Sequence, residues 1–170
     1  MAMVESSGGG GAADGPIREE GAGAEDEHAT ARRNSDGIMV LVLMSDATTR
    51  GIRIQVNSEY VAERSDPRAN AYFFAYHVRI TNLGAETAQL VSREWIITDG
   101  DGHVEQVKGP GVVGEFPVLQ PGDSHEYTSF CPLTTSFGSM HGNYTMRTRS
   151  GETFEAENAP FTLAMPGVVN

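Results

Sequence analysis

Tyr72-Phe73-Phe74-Ala75-Tyr76-His77-Val78-Arg79-Ile80-Thr81-Asn82 sets a large apolar side chain at every second position. Tyr72, Phe74, Tyr76, Val78 and Ile80 fall on one face, and Ala75, His77, Arg79 and Thr81 on the other. A period of two is that of a strand with one buried face. Asn82-Leu83-Gly84 ends it with a turn. Upstream, Ile52, Ile54 and Val56 alternate with Arg53 and Gln55. The longest apolar run, Ile38 to Met44, suits a buried strand. Downstream, Ala88–Ser92 and Trp95–Thr98 read as strands. Asp99-Gly100-Asp101-Gly102 follows as a hairpin turn, because Asp-Gly tolerates positive φ. Pro121-Gly122 and Ser150-Gly151 mark further turns, and the segments around Tyr144 and Phe154 pair across the last of them. No part of 38–170 carries an i, i+3, i+4 apolar stripe. The expected fold is all-β, an antiparallel two-sheet sandwich of the immunoglobulin or fibronectin-type-III kind.

The 170 residues suffice for one domain with a real core. A net charge of −11 argues against nucleic acid as the partner and against an anionic membrane surface. No apolar run approaches the roughly 20 residues of a spanning helix. One cysteine, Cys131, allows no internal disulfide, which favours a reducing compartment, cytoplasm or nucleus. Residues 1–37 contain Gly8-Gly9-Gly10-Gly11 and carry a net charge of −5, from three basic and eight acidic residues. They lack the apolar side chains that offset ordering and are expected to be a disordered tail, leaving 38–170 as the domain. They also lack the basic start and apolar centre of a secretory signal.

Lys108-Gly109-Pro110-Gly111-Val112-Val113-Gly114-Glu115 fits G-x-G-x-x-G, the spacing that cradles phosphate in dinucleotide-binding folds. Here two β-branched valines, Pro117 and Pro121-Gly122 prevent a following helix, so the glycines belong to a loop between strands. Lys108, Gly109, Gly111, Val112, Val113 and Gly114 are the candidate phosphate residues. Backbone N–H groups in such a turn can form an anion nest. The alternative is a structural loop whose glycines serve backbone geometry alone. Pro110 offers no N–H, and Glu115 repels an anion.

Other chemistry finds little support. Asp99, Asp101, His103 and Glu105 alternate like a calcium loop, but Val104 stands where the turn glycine belongs. One cysteine does not make a zinc site. No cofactor is expected, and the acidic hairpin leaves room only for a weak magnesium or cobalt site. Cys131, between Phe130 and Pro132, reads as an inert thiol in a loop, with no base placed beside it. No catalytic residue is assigned. Trp95 reads as a core residue between sheets. Phe73, on the face opposite the apolar stripe, Phe116 in the glycine loop and Phe137 in a loop from Cys131 to Met140 are the candidate exposed contacts for a protein partner.

Taken in order, Tyr72–Asn82, Leu90-Val91-Ser92-Arg93-Glu94-Trp95, Gly109–Glu115, Leu119-Gln120-Pro121-Gly122, Tyr127-Thr128-Ser129 and Gly138–Tyr144 resemble the ApaG domain family from about Ile52 to Met165. The resemblance implies the same sandwich. It also implies the family's associations: cobalt and magnesium resistance and efflux in bacteria, and partner binding in eukaryotic F-box and polymerase-interacting proteins. Pyrophosphate-containing ligands at the glycine motif are a further implication. Two departures stand out, Glu94 where members often carry His and Phe116 where they often carry Gln. The function expected is therefore a non-enzymatic interaction module. The alternative is a pyrophosphate or nucleotide-polyphosphate binder tied to cobalt and magnesium homeostasis. Arg79 and His77 on a flat sheet face leave a homodimer open.

Overall fold

The structure is a computed structural model and describes residues 43–167. The expected tail, and the run from Ile38 up to residue 42, lie outside them. Nine strands follow in order: β1 Met44–Thr49, β2 Ile52–Tyr60, β3 Tyr72–Asn82, β4 Ala88–Asp99, β5 Val104–Pro110, β6 Val118–Leu119, β7 Ser124–Leu133, β8 Phe137–Thr148 and β9 Thr153–Ala164. Single turns of 3-10 helix at Ala62–Arg64 and Pro67–Ala69 connect β2 to β3. One sheet has the order β1-β2-β3-β7. The other has the order β5-β4-β8-β9, with β6 beside the first residues of β4. Every strand pairing is antiparallel, so the chain is the all-β sandwich its patterning predicts.

The core lies between the inner faces. Ile52, Ile54 and Val56 of β2 meet Phe74, Tyr76, Val78 and Ile80 of β3, all fully buried. Trp95, without exposed surface, sits at the centre. The rings of Tyr76, Tyr144 and Phe161 stand edge-on or tilted around it, with centroids 5.4, 6.1 and 5.8 Å away. Removing so large a buried ring costs about 3–5 kcal/mol.

Two irregularities re-phase the strands. In β4 the register shifts between Leu90 and Ser92. Ala88 and Leu90 point inward before it, Trp95 and Ile97 after it, so the buried parity changes from even to odd. A bulge does this by adding one residue to one strand. The two short strands read from the sequence on either side of residues 93–94 are therefore one long strand. In β9 the same flip separates Asn158 from Phe161, with Pro160 exposed at the extra position.

Three expectations need correction. Leu43 and Met44, the described end of the apolar run, are 38 % and 44 % exposed. Among the described residues β1 is the outermost strand of its sheet, so the described end of the run is not a buried strand. Cys131 is not in a loop but in β7, with 1 % exposure. Among the described residues β7 pairs only with β3, and an edge strand tolerates the missing N–H of Pro132. The supposed loop from Cys131 to Met140 is the end of β7, a turn at 134–136 and the start of β8. Phe137 opens β8 rather than sitting in a loop.

Gly142 of β8 faces Trp95 in register. A Cβ there would lie 1.9 Å from the backbone oxygen of Glu94. Gly142→Ala is expected to lower unfolding free energy by at least about 2 kcal/mol, by forcing the backbones of β4 and β8 apart beside Trp95. Urea denaturation read by far-UV circular dichroism checks this, and an unchanged midpoint would contradict it.

Candidate functional site

The glycine loop joins β5 to β6 and lies across the bulge of β4. Its position is set by backbone bonds at both ends. Gly111 N–H donates to Val91 O at 3.1 Å, and Leu90 N–H donates to Pro117 O at 3.0 Å. Between them Val112 and Glu115 exchange two N–H···O bonds of 2.9 Å each. The central pair, Val113 at φ 47° and Gly114 at φ 76°, has the two positive φ angles of a type I′ turn. Gly111, at φ 58°, has no room for a side chain, since a Cβ would lie 2.3 Å from Glu115 O. Val112 is completely buried and anchors the loop in the core.

Beneath the loop lies Arg93. The bulge gives it the inward parity of Trp95 and Ile97. Its Nη1 donates to Pro110 O and to Gly111 O, both at 2.9 Å. A Cβ on Gly109 would come within 2.9 Å of the guanidinium, so the first glycine of the motif makes space for this arginine. Burial lowers the Arg93 pKa from its ordinary value, partly offset by the nearby hydroxyls of Tyr127 and Tyr144. Those two hydroxyls, one from each sheet, are hydrogen-bonded to each other. Burial pushes both of them, and Tyr76, up beyond the ordinary phenol range. His125 of β7 reaches Glu115 of the loop, Nε2 to Oε2 3.4 Å, which ties the loop to the opposite sheet.

The candidate phosphate residues are therefore contiguous, but their N–H groups do not all point outward. Pro110 has none, and those of Gly111 and Val112 are used internally. Among the described residues, the N–H groups of Val113 and Gly114 have no hydrogen-bond partner. Lys108 is exposed and lies 3.6 Å from Glu94. The candidate aromatic contacts are dispersed. Phe116 is 48 % exposed and Val118 55 % exposed, while Val113 is half-buried. Phe137, 41 % exposed, is the first residue of β8, an inner strand of the other sheet, and lies against Gly100. Phe73 is half-buried, stacked on Phe130 at 5.3 Å. Arg93 escaped the sequence reading as a site residue. Its odd parity with Trp95 and Ile97 is the signal that could have revealed it.

The acidic hairpin is a turn cap. Ligand atoms of Asp99, Asp101 and His103 lie within 4.8 Å of one another, and Glu105 is not among them. Asp99 Oδ1 already accepts the N–H groups of Asp101 and His103, at 2.9 and 3.0 Å, and Oδ2 lies 3.3 Å from His103 Nδ1. Burial pushes the Asp99 carboxyl up, but these donors outweigh it and its pKa is lowered. Burial raises the Cys131 thiol to about 12. On the outer face of the four-stranded sheet, His77 bonds Thr128 at 2.6 Å and Arg79 lies 3.6 Å from Glu126. They floor a hollow of about 840 Å3.

A valine in the left-handed region costs about 1–2 kcal/mol, whereas Asn-Gly is a favoured type I′ pair. Val113→Asn is therefore expected to stabilise the chain by about 1 kcal/mol, a little less for the lost apolar contact. A thermal or urea midpoint lower than wild type would contradict the conformation described.

Comparison with known proteins agrees with this geometry. The ApaG domain model matches residues 62–148. Protein ApaG of Mesorhizobium japonicum is 52 % identical over 124 residues, covering 73 % of this chain and 95 % of that protein. Protein ApaG of Thiobacillus denitrificans is 50 % identical over 127 residues, 75 % of this chain and all of that one (100 %). The crystal structure of an ApaA protein from Bordetella pertussis superposes with a TM-score of 0.67 at 46 % identity, covering 76 % of this chain and 100 % of that chain. Family model, relatives and architecture agree: the chain belongs to the ApaG domain family.

Proposed function

We propose that the chain is a non-enzymatic binding module of the adaptor or substrate-receptor type, which presents the glycine loop to a protein partner. The observation that carries this reading is Val113. A β-branched residue in left-handed backbone is strained, and such strain persists where the surroundings enforce it, often at contact sites. Here the arginine clamp, the Val112 anchor and the turn bonds enforce it. The outcome is a braced loop that carries exposed Phe116 and Val118 and half-buried Val113, in the same stretch of chain as exposed Lys108 and Glu115. A rigid loop with an aromatic anchor suits a protein surface, where a few such residues carry most of the affinity. The non-enzymatic part is supported by Cys131. Buried, and with its thiol raised to about 12, it offers no thiolate at neutral pH.

Capture of partners from cells with wild type, Phe116→Ala and Gly111→Asp tests the reading. Phe116→Ala is expected to weaken retention by at least about tenfold, the effect of losing one anchor. Gly111→Asp, which cannot keep the loop's shape, should abolish it. A partner held equally by all three variants means that this surface is not the one used.

A second reading rests on the two N–H groups at Val113 and Gly114. With Lys108 they could hold one phosphate of a pyrophosphate-containing ligand, which would link the module to magnesium or cobalt handling. Calorimetry with pyrophosphate, ATP and a dinucleoside polyphosphate, with and without magnesium or cobalt, is expected to show weak heat that Lys108→Ala removes. No heat at millimolar ligand ends this reading.

A further inference from the structure

At the opposite end of the molecule from the turn at Pro121-Gly122, the four-stranded sheet carries an apolar pocket of about 280 Å3. Tyr72 and Phe73 of β3 line one side, and Pro132 and Leu133 of β7 the other. Phe73 stacks on Phe130, with centroids 5.3 Å apart and planes at 29°. Arg64, from the first 3-10 turn, forms the lip. Its guanidinium carbon lies 4.0 Å above the Phe73 ring centre and 5.3 Å from that of Phe130.

This arginine is held but not neutralised. Among the described residues no carboxylate pairs with it, although Glu63 and Asp66 flank it in sequence. A guanidinium held over a ring by its cationic carbon still has its N–H groups to offer, in the fork that takes a carboxylate. The stacking also fixes the side chain in advance, so little entropy is lost on binding. The volume is below the roughly 300–1,000 Å3 of small-molecule sites and suits one large side chain. Beside the pocket runs β7, the edge of its sheet, with no strand on its outer side among the described residues. An extended segment can lie along such an edge.

We infer that this pocket docks an extended peptide segment of a partner protein, with a large apolar side chain in the pocket and an adjacent carboxylate on Arg64. Complementarity of charge selects the carboxylate. The chain's net charge of −11 makes an acidic partner unfavourable elsewhere, so Arg64 provides a local exception at short range. The inference shares with the preceding reading only the premise of a binding module and makes no use of the glycine loop.

The test is a titration of the 15N-labelled chain with an acetylated, amidated hexapeptide, Ser-Gly-Phe-Asp-Gly-Ser, and with its Asn counterpart. Saturable shifts at the amides of Tyr72, Phe73 and Leu133 are expected, with the Asp peptide about fivefold tighter, the effect of one charge-assisted bond. Arg64→Gln should erase that difference, and Phe73→Ala should weaken both peptides. Equal affinity of the two peptides for wild type, or no saturable shift at these residues at millimolar peptide, overturns the inference. Binding of free N-acetylphenylalanine as tight as that of the Asp peptide also overturns it, by making the site one for small acids. Phe116→Ala should leave this titration unchanged while removing a partner captured through the loop, so either reading can fail alone.

Discussion

The indole of Trp95 is the constraint around which the rest is arranged. It occupies the space between two sheets that stack about 10 Å apart, and side chains from both must accommodate it. Its strand is held close to β8, where Gly142 has no side chain to push against the backbone of Glu94 and Trp95. Tyr76 and Phe161 pack against the indole at steep angles between the ring planes. The bulge in β4 belongs to the same arrangement. Without the extra residue near Val91, Trp95 would point outward, and Arg93 with it.

That coupling explains why an arginine lies next to the core at all. The parity that buries Trp95 also turns Arg93 inward, where an ion as hydrophilic as guanidinium needs partners. The glycine loop supplies them as two carbonyl oxygens. The motif's first glycine makes way for the cation, its second permits the turn, and its third completes the type I′ pair. In dinucleotide-binding folds the same spacing directs amides at a phosphate. Here three of the loop's N–H groups, those of Gly111, Val112 and Glu115, are spent internally, and two, those of Val113 and Gly114, are left without a partner among the described residues.

The alternation of Tyr72–Ile80, the hairpin at Asp99–Gly102 and the turns at Pro121-Gly122 and Ser150-Gly151 made the sandwich legible, because period-two burial and tight-turn chemistry are local. The burial of Trp95 was legible for the same reason. What escaped depended on neighbours. Pro132 suggested a break, yet a strand with one partner accommodates it. Leu43 and Met44 read as buried, but an outermost strand has only one neighbour to cover it. The clamp by Arg93 needed the bulge, which shows in sequence only as a shift from even to odd spacing. Val113 in left-handed backbone has no local signature, since valine disfavours that conformation and only tertiary bonds impose it.

Trp95 is the single tryptophan of the chain and has no contact with solvent. Its fluorescence consequently reports one event, the separation of the two layers, as a red shift from a blue-edge emission. It is spectroscopically silent toward whatever settles on the rim at 113–118 or beside Arg64. Intrinsic emission therefore serves as a gauge of the packed core during ligand work, because a substitution at either surface that leaves the spectrum unmoved has left the surroundings of the indole in place.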